Sequence, residues 1–224
     1  MTHVDRDDWG RAASLTGIAF TVLVGAGAAL AGSAPGDTAS GQAVIAFYVK
    51  NGARQKASDV FLAFAFIALV FFAGWLRAYF RRHTVHDSLP VTAIAGAALL
   101  AAGQTIGAGL SWTLAASAGH LQPAAAQALN SAASDLVLTS AAGWFIFSVA
   151  TGLVIIRGKA LPSWLGWVSF VIAVVVLTPA EFAAFLAFAV WTVIVSVLTW
   201  RRSRAVPEER IKGGQRFESA GFTG

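Results

Sequence analysis

Six long apolar blocks dominate the sequence and limit the folds that are open to it. They cover residues 14–32, 58–80, 90–118, 133–156, 162–177 and 182–200. A helix needs about 20 apolar residues to cross a membrane, because the hydrocarbon is about 30 Å thick and a helix rises about 1.5 Å per residue. Backbone groups in lipid must pair within their own segment, so such blocks form helices. The sequence therefore predicts an all-α, polytopic transmembrane bundle with six spans.

The composition agrees with a membrane location. Only 12% of the residues are charged, which is about half the share found in soluble proteins. The net charge of +5 does not indicate nucleic-acid binding, because the basic residues stand at the ends of apolar blocks, as membrane orientation requires. The chain has no cysteine, which excludes disulfides, thiolate metal sites and cysteine nucleophiles.

The distribution of lysine and arginine predicts that both termini lie in the cytoplasm. With the N-terminus inside, 13 of the 16 basic residues fall on inner segments, as the positive-inside rule requires. This orientation divides the chain into a cytoplasmic segment over residues 1–13, a transmembrane domain over 14–200, and a basic, then disordered cytoplasmic tail over 201–224.

Two connections between spans have distinctive sequences. After span one, Pro-Gly-Asp at 35–37 predicts a turn, and a short helix over residues 43–50 is expected on the outer surface, ended by Asn-Gly at 51–52. Spans five and six are joined only by residues 178–181, and span five is short. A hairpin is preferred to one bent helix there, because the segment 164–200 is far too long for a single crossing.

The few polar residues inside the spans are functional candidates, because polar groups are costly in lipid. Gln104 is the deepest strongly polar side chain, and it requires a partner on another helix or a water molecule. Gly103 and Gly107 beside it have the GxxxG spacing of closely packed helices. Gln104 and Ser111 share one face of span three. Packing against a neighbouring helix is the preferred interpretation of this face, and lining a cavity is the alternative.

Carboxylates near the outer ends of the spans form the second set of candidates. Asp59 and Asp135 follow expected helix starts, where the helix dipole stabilises negative charge, so a structural role is the first interpretation. Glu181 fits a capping box that starts at Thr178, and a buried, proton-carrying carboxylate is the alternative. Thr139 shares a face of span four with Asp135. If the faces of the spans converge, five residues form an outward-facing polar pocket: Gln104, Ser111, Asp135, Thr139 and Glu181.

Motifs for catalysis, metal binding and cofactors are missing from the sequence. His83 and His86 stand near Asp87 in a polar loop, for which a solvated loop is preferred to a metal site. There is no GxSxG motif, no HExxH motif and no Walker lysine loop. The sequence therefore predicts no catalytic residue, no metal site and no cofactor.

Two short motifs carry a resemblance to a known family. They are Pro-Gly-Asp at 35–37, and a Gly-aliphatic segment at 152–157 followed by Leu-Pro-Ser-Trp-Leu-Gly at 161–166. Their order resembles a group of uncharacterised bacterial multi-span membrane proteins that are classified as a domain of unknown function. The resemblance implies a first span, an outer turn leading into a short helix, and further spans, and it implies no activity. It also implies that the expected location is the plasma membrane of a bacterium, which is its inner membrane.

Three functional hypotheses follow, in order of preference. The first is non-catalytic binding of a lipid, a small molecule or a membrane-protein partner through the outer polar pocket. The second is a small transporter or channel subunit, oligomeric, that uses Asp135 or Glu181 for protons or cations. The third is an intramembrane enzyme, which ranks last because no catalytic group of residues is visible. The expected partners are the lipid bilayer, a lipid or small molecule, and either a second copy of the chain or another membrane protein.

Overall fold

The computed structural model describes residues 13–82, 87–178 and 181–220, and in the last range it describes side chains only from 183 to 202. Every regular element in these ranges is helical, which confirms the predicted all-α class. The α-helices are α1 (Thr16–Ala31), α2 (Gly41–Phe80), α3 (Ser88–Ser117), α4 (Pro123–Gly158), α5 (Ser163–Val175) and α6 (Glu181–Ala220). A 3₁₀ turn, Ala118–His120, lies between α3 and α4. The predicted loop histidines His83 and His86 lie outside the described residues.

Four of the described helical segments are long and apolar enough to cross a membrane. They are Gly41–Phe80, Ser88–His120, Pro123–Gly158 and Ala183–Arg202. Helices α1 and α5 are also apolar but shorter, with 16 and 13 residues. Many large apolar side chains are exposed on the outside of the bundle, among them Phe71, Leu138 and Val190. A water-facing surface does not carry so many, so the chain is a helical membrane protein.

The prediction of a separate short helix on the outer surface is wrong. Residues 43–50 are the first part of α2, which continues without a break to Phe80. The Asn-Gly pair at 51–52, which was expected to end the short helix, lies inside α2 instead, and the Asn51 side-chain amide donates to the Phe47 carbonyl at 3.0 Å. Gly52 lies against the backbone of α3, where an added Cβ would be 3.1 Å from the Ala115 oxygen. The glycine therefore serves close helix contact rather than termination.

Helices α2 and α4 are longer than a membrane crossing requires. Their 40 and 36 residues correspond to about 60 and 54 Å, roughly twice the hydrocarbon thickness. The Ala-rich stretch over residues 124–133, which precedes span four, is helical and belongs to α4, which starts at Pro123. With the end of α3 and the 3₁₀ turn, these extensions form a second, smaller core outside the main one, built from Val44, Tyr48, Leu114, Ala118 and Ala126.

Each helix packs on the next one along the chain, and α6 also packs on α1, so the bundle closes on itself. Helices α3 and α4 approach each other closely at a pair of glycines. A Cβ on Gly96 would lie 2.8 Å from the Gly143 oxygen, and a Cβ on Gly143 would lie 2.7 Å from the Gly96 oxygen. Such backbone-to-backbone approach is how transmembrane helices gain van der Waals contact in the absence of a hydrophobic driving force.

The last two helices are separate elements that pack on each other, as the hairpin interpretation expects. The Trp191 indole N–H on α6 donates to the Leu165 carbonyl on α5 at 3.2 Å. The connection at 179–180, and with it the proposed capping box, lies outside the described residues. The backbone of α6 is helical to Ala220, where the sequence predicts a disordered tail. Residues 205–220 are rich in Glu, Arg and Lys, which are good helix formers.

At the end of the bundle away from the smaller core, an ion pair joins the end of α2 to the residue before α3. Arg77 pairs with Asp87, the residue before α3, and this guanidinium lowers the pKa of the Asp87 carboxyl below its ordinary value. The Tyr79 hydroxyl donates to the Ala160 carbonyl at 3.1 Å, and Arg202 of α6 donates to the same oxygen. Arginine, tyrosine and carbonyl groups therefore connect α2, α6 and the α4–α5 turn at this end.

Candidate functional site

A buried carboxylate lies in the middle of α2, and it is the strongest polar feature of the molecule. Asp59 is about five turns from the start of the helix at Gly41, and its side chain is only 5% exposed. The interpretation of Asp59 as a helix N-terminal residue is therefore wrong. The neighbouring Ser58 hydroxyl donates to the Gly27 carbonyl of α1 at 2.8 Å. Asp59 is thus buried inside the protein, because α1 and α3 pack against α2.

Three polar side chains surround the Asp59 carboxylate. Gln55 precedes it by one turn of α2, and Ser111 of α3 lines the same cleft as Asp59. The Tyr48 hydroxyl donates to the Ser111 hydroxyl oxygen at 3.5 Å. Tyr48, Gln55 and Ser111 are themselves buried. The four side chains form a polar group between the main core and the smaller outer core.

This polar group is incompletely satisfied. Among the described residues, none donates a hydrogen bond to the Asp59 Oδ2 atom or the Gln55 Oε1 atom, and both atoms are buried. The ion pairs found in the described part of the chain join Asp87 to Arg77 and Arg81, and none involves Asp59. A buried acceptor without a donor is costly, by about 1–3 kcal/mol for a neutral group and more for a charge. Both open positions are acceptors, so a donor would satisfy them.

The Asp59 side chain lines a cleft of about 190 Å³ between α2, α3 and α4. The small residues of α3, Gly103, Gly107 and Ala108, leave room for it. Its other lining residues are Leu62, Gln104, Ser111, Ala133, Leu136, Val137 and Ser140. Gly103 also packs tightly on α4, where an added Cβ would lie 3.1 Å from the Ser140 nitrogen. The small face of α3 therefore both packs against α4 and lines a cavity, which were the two alternatives at Gln104.

A second cavity, of about 240 Å³, adjoins the cleft. The two share the lining residues Gln104, Val137 and Ser140, and the second is completed by Ala141, Trp144, Val176 and Phe185. Trp144 is 8% exposed, and no described residue accepts a hydrogen bond from its indole N–H. The cleft is thus lined by a residue with an unpaired acceptor, Asp59, and the adjoining cavity by a residue with an unpaired donor, Trp144.

The structure brings together only part of the predicted pocket. Gln104 and Ser111 both line the cleft, as the prediction of converging polar faces requires. Asp135 is exposed on α4, about three turns after Pro123, and neither it nor Thr139 lines either cavity. Its proposed place at a helix N-terminus is wrong, because α4 begins at Pro123. The side chain of Glu181 lies outside the described part, so its role stays a prediction.

The described residues include no group of three histidine, aspartate or glutamate side chains that could hold a metal ion.

No protein-family model matches the chain, and no similar protein is found among curated proteins or solved structures. The resemblance to a bacterial domain of unknown function stays a prediction.

Proposed function

We propose that this chain crosses a bacterial plasma membrane six times, with both termini in the cytoplasm. The four long apolar helices support membrane insertion, and the two shorter ones carry exposed apolar side chains, such as Val22 on α1 and Val171 on α5, that fit contact with lipid. The charge distribution supports the orientation, because the outer segments hold only Lys50, Arg54 and Lys56. Residues 33 and 178 then lie outside, and residue 163 lies inside.

Cysteine labelling tests this topology, since the chain has no cysteine of its own. Ser33→Cys, Ser163→Cys and Thr178→Cys place single thiols at exposed positions. A membrane-impermeant maleimide added to intact cells is expected to label positions 33 and 178, and to label position 163 only after permeabilisation. Labelling of position 163 in intact cells would refute the orientation. Protection of position 178 before permeabilisation would refute the crossing by α5 and α6.

We further propose that the protein binds a small molecule non-catalytically, through a donor-rich head group placed at Asp59. The observation that supports this most directly is the buried Asp59 carboxylate with an unpaired oxygen beside a cleft. A protonated amine fits these acceptors best, because it supplies three N–H donors and a positive charge. The Oδ2 atom has almost no exposed surface, so the ligand reaches it after a small rotation of the carboxylate, a torsion that is soft.

The binding test uses hexylamine as the probe and the protein in phosphatidylcholine nanodiscs. A ligand that binds the folded state raises the unfolding temperature. Hexylamine is expected to raise it for the wild type, and Asp59→Asn is expected to weaken binding about 10- to 100-fold, since a charge-assisted hydrogen bond contributes about 1.5–3 kcal/mol. Asp135→Asn is the matched control, because Asp135 has the same charge but is exposed outside the cleft.

Two outcomes would contradict the binding proposal. One is a wild-type protein whose unfolding temperature hexylamine does not change beyond the effect of hexanol, its uncharged counterpart. The other is equal stabilisation of the wild type and Asp59→Asn, which would place the amine elsewhere on the protein or in the lipid. Binding that is lost in Asp135→Asn as well would indicate a general charge effect and would also count against a site at Asp59.

A further inference from the structure

We infer that the ligand is an amphiphile with an amine head at Asp59, a carbonyl group at Trp144 and an apolar chain in the second cavity. This inference rests on the proposed binding function and names the class of the ligand. An observation separate from Asp59 supports it: the buried indole N–H of Trp144 has no acceptor among the described residues. An indole N–H can only donate, so the group that satisfies it is an acceptor, such as an ester or amide carbonyl.

The proposed ligand occupies both cavities, which have lining residues in common. Gln104, Val137 and Ser140 line both, so the path of the ligand passes beside these three side chains. Ser111 and Gln104 are seven residues apart on α3, and Ala133 and Trp144 are eleven apart on α4. At about 1.5 Å per residue these separations correspond to about 10 and 16 Å. These are the lengths over which α3 and α4 line the two cavities, so the proposed ligand carries its carbonyl about this far from its amine.

The chemistry along the path changes in the order that such a ligand requires. The Asp59 end has polar side chains, whereas the far end is closed by Ala141, Val176 and Phe185 around Trp144. Apolar residues of this kind provide no further hydrogen-bond partners, so they select an alkyl chain.

The two cavities are also arranged as an amphiphile lies in a membrane, with the polar end toward the surface. Asp59 stands just before the continuous apolar run of α2 over residues 60–73, and the charged residues Lys50, Arg54 and Lys56 precede it. Trp144 lies further along α4 and contacts Phe188 of the apolar core, with ring centroids 5.2 Å apart. The head group would thus lie near the membrane surface and the chain would point into the hydrocarbon. A ligand already oriented in the bilayer can enter without being turned.

The test compares three probes in the same phosphatidylcholine nanodiscs, with empty nanodiscs as the partition baseline. They are hexylamine, the hexyl ester of ω-aminoundecanoic acid, and the corresponding ether amine that lacks the carbonyl. The wild type is expected to bind the ester about 3- to 10-fold more tightly than the ether, the value of one buried hydrogen bond of about 0.5–1.5 kcal/mol. Asp59→Asn is expected to weaken the binding of all three probes.

Trp144→Phe removes the N–H and keeps an aromatic ring, so it is expected to abolish the preference for the ester while leaving hexylamine affinity unchanged. Trp167→Phe is the matched control, because Trp167 is exposed and lines neither cavity; the preference for the ester is expected to persist in it. Equal affinity of the wild type for ester and ether would overturn the inference while leaving the hexylamine site standing. A Trp144→Phe variant that keeps the preference, or that weakens hexylamine too, would also overturn it.

Discussion

Replacing Gly143 with alanine is expected to destabilise the bundle by about 3 kcal/mol or more, at the upper end of the range for overpacked sites. The added Cβ would lie 2.7 Å from the Gly96 oxygen and closer still to the Leu100 nitrogen. Backbone atoms cannot swing aside as the end of a flexible side chain can, so α3 and α4 must separate. The measurement is the free energy of unfolding in nanodiscs, together with the yield of folded protein.

Gly109 provides the control for this effect, because it lies on α3 and an added Cβ there would have nothing within 4 Å of it. Gly109→Ala is expected to be neutral or to stabilise by up to about 1 kcal/mol, since alanine favours a helix over glycine by about that amount. Gly96→Ala is expected to resemble Gly143→Ala, because the two glycines face each other. Equal stability of Gly143→Ala and Gly109→Ala would show that the α3–α4 contact is not as close as described.

Asp59→Asn is expected to stabilise the protein without ligand by about 1–3 kcal/mol, the range for a buried polar group that lacks a partner. The substitution keeps the shape of the side chain and removes a negative charge that has no paired cation among the described residues. A residue that lowers stability and is retained for binding is the usual compromise at a functional site. Thermal or denaturant unfolding in nanodiscs without added amine measures the change.

Asp135→Asn is again the control, and its effect is expected to stay within about 0.5 kcal/mol, as for most exposed substitutions. A loss of stability in Asp59→Asn would mean that the carboxylate is paired in the folded protein and holds the helices together. The proposed binding site would then lose its main support. A gain of stability combined with lost hexylamine binding is the result that a ligand site predicts.

Helix class and most helix positions could be predicted from the sequence, because apolar blocks of membrane length can satisfy their backbone only as helices. The failure at residues 43–52 has a clear cause. An Asn-Gly pair is a stop signal when the next residues face water, but Gly52 faces the α3 backbone and Asn51 bonds within α2. Whether glycine ends a helix or permits close packing depends on a neighbour that is remote in sequence.

The same error explains why the sequence-based interpretation of Asp59 is wrong. With a helix start expected at residue 58, its carboxylate matches a dipole-stabilised position rather than a buried site. One signal in the sequence can correct this, because Tyr48, Gln55 and Asp59 recur at spacings of seven and four and so share one face of a continuous helix. Conversely, Asp135 and Thr139 do share a face of α4, but that face lies outside both cavities.

The long apolar blocks in the sequence determined by themselves that this chain is helical and enters a membrane. Their length and composition are local properties, and the hydrogen-bond demand of a lipid-buried backbone leaves no other outcome. The tertiary structure alone decided which polar residues meet. Asp59, Ser111 and Gln104 converge because glycines let α3 approach its neighbours closely, and contact between helices depends on the shapes of both partners rather than on either sequence segment alone.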